Sequence, residues 1–131
     1  MQTAIEIFAA LNFAVIGLSH LIQPLVWVDY FTWLRSKGKV GALVNGLHAL
    51  LFGSLIVAFH NVWQGLPMLL TIFGWAQVLK GLLNTVVPSL GVRGLQYISA
   101  ERAWQFRVGG ALMLALSAVL CYIVFSRPPA A

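Results

Sequence analysis

Four long apolar stretches alternate along this chain with short segments rich in Pro, Gly, Trp and charge. About 20 apolar residues suffice to carry a helix across the hydrocarbon of a bilayer. The pattern predicts such helices near Thr3–Gln23, Val40–Asn61, Leu66–Val87 and Trp104–Phe125. Between the second and third, Asn61-Val62-Trp63-Gln64-Gly65-Leu66-Pro67 reads as a tight hairpin with an interfacial Trp. The other two connections predict helices of their own. After Pro24, at about 100° per residue, Trp27, Phe31 and Leu34 share one face and Asp29, Thr32 and Ser36 the other. Residues 25–37 therefore read as an amphipathic interfacial helix, and Pro88 opens a comparable, weaker stretch over 89–103.

The expected fold class is all-α. Residues 1–131 form a single domain of four transmembrane helices, with short interfacial helices after spans one and three. The two halves also read as a candidate 2+2 repeat, in which Pro24 meets Pro88 and Asn45-Gly46-Leu47 meets Gly109-Gly110-Ala111. Gly17-Leu18-Ser19-His20 resembles Gly74-Trp75-Ala76-Gln77, although joining the two matches requires a gap. Two spans per half give both halves one orientation, related by an axis along the membrane normal.

Composition supports lipid as the solvent. The chain is 60% hydrophobic and 8% charged, against roughly 25% charged in a soluble domain. Its net charge of +5 forms no basic stripe of the kind that binds nucleic acid, so membrane lipids are the expected contact, including anionic ones. The basic residues instead set topology. Arg35, Lys37 and Lys39 follow the first span and Lys80, Arg93, Arg102 and Arg107 lie near the third connection, leaving only Arg127 on the other side. By the positive-inside rule both termini face away from the cytoplasm, which in a bacterial inner membrane is the periplasmic side. Glu6 sits where a signal peptide would be basic, so the first apolar stretch is expected to remain as a span. Cys121, the one cysteine, reads as a buried, inert side chain.

Ionisable residues within spans are costly and by default face a bundle interior or a wet cavity. Each predicted span carries one face of small and polar residues, as close helix packing in lipid requires. Sorted by depth, His20, Asn45, His48, Gln77, Lys80, Asn84 and Arg107 form an inner polar layer, and Glu6 and His60 a candidate outer clasp. Glu6 is the one carboxylate in any span. The inner layer holds basic groups and amides without an acid, which suits an anionic headgroup or a small anion. The alternative is that Lys80 snorkels to the interface and His48 stays neutral against Asn45 or a carbonyl.

No catalytic set stands out. Ser19 and His20 are adjacent on a helix and point apart, and neither HEXXH nor Cys-x-x-Cys-His occurs. No metal site and no cofactor is expected, although His20 and His48 on facing helices are the pair a haem would need.

The stretch Leu55-Ile56-Val57-Ala58-Phe59-His60-Asn61-Val62-Trp63, with Gly65-Leu66-Pro67, Leu70-Thr71-Ile72-Phe73-Gly74-Trp75 and Lys80-Gly81, resembles a signature of small bacterial inner-membrane proteins. The architecture is similar to that of DoxX-like four-helix proteins. Asn45 and His48 stand in the region of the second span where such sequences tend to carry a glutamate, so the resemblance implies architecture and no activity. The expected function is a non-enzymatic membrane protein, a homo-oligomer or an accessory subunit of another membrane protein. The alternatives are a small transporter or channel lined by His48 and Lys80, and a haem- or quinone-interacting redox subunit using His20 and His48.

Overall fold

The computed structural model describes residues 1–128, and among these every regular element is helical. The helices are α1 (Gln2–Ile22), α2 (Pro24–Ser36), α3 (Lys39–Phe59), α4 (Met68–Val86), α5 (Pro88–Leu95) and α6 (Trp104–Ser126), with a 3-10 turn at Ala100–Arg102 before α6. Four helical segments, Gln2–Ile22, Lys39–Phe59, Met68–Val86 and Ala100–Ser126, are long and apolar enough to cross a membrane.

Proline sets two of the boundaries. The residue before a proline is pushed out of the α region, while proline itself suits the first position of a helix. Gln23 accordingly bends at φ −133°, ψ 59° ahead of Pro24, and Val87 at φ −125°, ψ 68° ahead of Pro88. In both places the last N–H stays in the old helix, from Gln23 to Ser19 O and from Val87 to Leu83 O, each at 2.9 Å. The α3–α4 hairpin is wider than the sequence pattern predicts, because Gly65 turns at φ +62° and delays α4 to Met68. In that turn the Asn61 side-chain oxygen accepts from the indoles of Trp63 and Trp75 at 3.0 and 3.3 Å.

The expected helix over 89–103 is shorter than its segment. It ends at Leu95, and Ser99 is fully extended before the 3-10 turn. Gly91 and Gly94 lower helix propensity by about 1 kcal/mol each relative to alanine, which leaves too little to carry the helix further.

The long helices associate as two pairs, α1 with α6 and α3 with α4. Glycine makes each pair close. A Cβ on Gly110 would lie 2.5 Å from Gly17 O, one on Gly53 2.6 Å from Val78 N, and one on Gly81 2.6 Å from Leu50 N. With no hydrophobic gain between helices in lipid, such close backbone approach is a main source of attraction. The pairs meet through a core of Ile5, Ala9, Phe13, Ile56, Leu70 and Leu120 at the end where α1 begins. Toward the opposite end α2 and α5 lie across them, and Arg35 on α2 donates to Ile98 O, in the segment after α5, at 3.1 Å.

Candidate functional site

Two polar constellations occupy opposite ends of the bundle. At the end where α1 begins, Glu6, His60 and Thr71 are each fully buried. His60 Nε2 lies 3.1 Å from Glu6 Oε1, and Arg127, just past α6, clamps the carboxylate with Nη1 to Oε2 at 2.6 Å and Nη2 to Oε1 at 2.8 Å. The Thr71 hydroxyl donates to Val62 O at 2.8 Å and accepts from Val62 N at 3.0 Å. The same hydroxyl lies 3.1 Å from His60 Nδ1, so the imidazole bridges Thr71 and Glu6. The network joins α1, α3, α4 and the segment after α6.

The sequence pattern placed Glu6 and His60 at one depth but missed two members. Arg127 follows the last apolar stretch and read only as a topology residue, while Thr71 is an ordinary hydroxyl within α4. Neither carries a local signal, because both become partners only when the chain's ends are folded together.

The second constellation is a cavity of about 410 Å³ between the two helix pairs. His20, Asn45, His48, Gln77 and Lys80 face it from α1, α3 and α4, and Phe13, Phe52 and Phe73 form its wall toward the core. Those three rings pack edge-on, with Phe13 and Phe73 4.7 Å apart. At the other end His20 stacks on Trp27 at 4.1 Å, and the Trp27 indole is held by Ser19 Oγ at 2.9 Å. His20 Nδ1 donates to Ile16 O at 2.8 Å, so Nε2 is the nitrogen left to accept. A second compartment of about 350 Å³ adjoins beneath α5, and Phe31, Asn45 and Lys80 line both; Asn84 and Gly91 line only the second.

Among the described residues no protein group hydrogen-bonds the side chains of Asn45, His48, Gln77, Lys80 or Asn84. Elsewhere the buried Ser117 donates to Ala10 O at 2.8 Å, whereas Thr85 Oγ1 is buried without a partner.

Arg107 departs from the expected layer. It is exposed on α6 and lines neither compartment. Phe106 takes the inward position, and one residue on, about 100° further round the helix, points away. Cys121 is likewise exposed rather than buried. Among the described residues no group of three His, Cys, Asp or Glu side chains is placed to hold a metal ion.

Comparison with protein-family models, with curated proteins and with solved structures finds no match. The chemistry of the site therefore rests on its own residues.

Proposed function

We propose that this is a small, non-enzymatic multi-pass membrane protein of the bacterial inner membrane, DoxX-like in architecture, that works as a ligand-binding accessory subunit. Its ligand is an amphipathic molecule lodged between the two helix pairs. The observation that carries this reading is the set of unpartnered polar side chains around an aromatic-walled cavity. A buried polar group without a partner is costly. Asn84 is buried in the smaller compartment, Asn45 and Gln77 are half-buried, and the exposed His48 and Lys80 line the larger cavity's edge, a polar set that suits an occupant.

Lipid as the surrounding solvent is supported by the exposed apolar side chains, among them Leu51 at 70% and Phe125 at 85%, since soluble monomers rarely expose large apolar patches. Seven of the eight Lys and Arg residues belong near the α2/α5 end, which supports that end facing the cytoplasm and both termini facing the periplasm.

The two halves are read as a parallel repeat. Gly17 and Gly81 stand at the same separation as Pro24 and Pro88, and so do the buried Gly46 and Gly110. This register needs no gap. It supersedes the match of Gly17 to Gly74, and exchanging the halves maps the pair α1–α6 onto α4–α3.

The cavity has a floor at the Phe13–Phe52–Phe73 rings, with the Glu6–His60 network beyond. One closed end favours binding over a continuous channel. The test is extraction of the full chain from its membrane in a mild detergent, followed by native mass spectrometry. A retained amphiphile in the wild type, lost in Met113→Trp, which fills the cavity from α6, is the expected result. Absence of any bound small molecule, or equal retention in the variant, overturns the reading.

A further inference from the structure

Resting on that reading of the cavity, we infer that the ligand is an amphipathic anion. Its charged headgroup sits on Lys80, Asn45 and Asn84 beneath α5, and its apolar part runs toward Phe13, Phe52 and Phe73. Lys80 is the charged side chain common to both compartments, and among the described residues no carboxylate lines either one. Glu6 is engaged by Arg127 and His60 at the far end, and Asp29 and Glu101 are exposed elsewhere. The cavity thus has positive charge and no counter-charge of its own. An ammonium group at such a site is stabilised by an anion.

Asn84 supplies the second, independent observation. It is 8% exposed, has no protein hydrogen-bond partner and faces the smaller compartment. Gly91 permits α5 to cover it, because a Cβ there would lie 2.8 Å from Asn84 Oδ1 and 2.9 Å from Ala42 Cβ. A carboxamide presents two N–H donors, and together with Asn45 and the Lys80 ammonium it forms a donor set for phosphate, sulfate or carboxylate oxygens. The larger compartment, walled by aromatic rings and Met113, takes an apolar chain or ring.

The test uses the delipidated full chain in detergent, titrated in native mass spectrometry with phosphatidylglycerol, with phosphatidylcholine of the same acyl chains, and with inorganic phosphate. Phosphatidylglycerol is expected to bind about tenfold more tightly than phosphatidylcholine, the scale of one charge-assisted hydrogen bond. Lys80→Gln and Asn84→Leu should each abolish that preference, while Lys80→Arg should keep it. Displacement of phosphatidylglycerol by equimolar phosphate would support the same donor set with a free anion as its source. Equal binding of the two lipids, both lost in Met113→Trp, overturns the anion and leaves the cavity reading standing. If neither lipid is held, both readings fall.

Discussion

His60 donates to Glu6 at 3.1 Å across the seam between the α1–α6 and α3–α4 pairs, and both side chains are fully buried. Arg127 completes the carboxylate's coordination from the same pair as Glu6. The pairs are thus joined at this end by a buried polar contact as well as by the apolar core. Removing one member leaves buried charge without compensation, which is far more harmful than replacing the whole set.

Glu6→Ala is therefore expected to lower stability by about 2 kcal/mol or more. This is below the full cost of breaking a buried pair, because the Arg127 side chain is 37% exposed and water screens its half of the interaction. Thermal unfolding in detergent measures it, and a loss below about 0.5 kcal/mol would contradict the network's structural role.

Arg127→Lys keeps the charge but not the two-pronged geometry. It should cost less than Arg127→Ala, which should itself cost less than Glu6→Ala. The three midpoints measured side by side check the order.

Glycines separate into two classes by what surrounds them. Gly53→Leu and Gly81→Leu force α3 from α4, since even a Cβ would lie 2.6 Å from backbone nitrogen, and these variants should fail to give a monodisperse protein. Gly109 has nothing within 4 Å of its Cβ position. Gly109→Ala should raise stability by up to about 1 kcal/mol through helix propensity alone. Size-exclusion profiles and melting curves distinguish the classes.

Thr85 Oγ1 is buried without a hydrogen-bond partner. Thr85→Val removes the unsatisfied hydroxyl and should stabilise the protein by about 1 kcal/mol. An unchanged or lowered melting temperature would show that the hydroxyl is partnered.

Much of the fold was legible because its causes are local. Apolar length marks the four long helices, and Pro24 and Pro88 mark the two bends. Depth along a helix can be read from sequence too, which is why Glu6 could be placed level with His60. The direction a side chain faces cannot be read so far. Arg107 fell on the polar stripe of α6, yet Phe106 occupies the inward position there. The helix-pair exchange was also hidden, since sequence neighbours suggest α1 beside α3, whereas close approach at Gly17 and Gly110 joins α1 to α6. Arg127 was legible only as charge, because its partner lies at the other end of the chain.

The most direct test of the account is an experimental structure of the full chain in native-lipid nanodiscs, inspected between the two helix pairs. Elongated density running from the Lys80–Asn84 compartment to the Phe13–Phe52–Phe73 wall is the expected result. A cavity holding only water, or one closed by its own side chains with Lys80 turned out to the membrane surface, would contradict it.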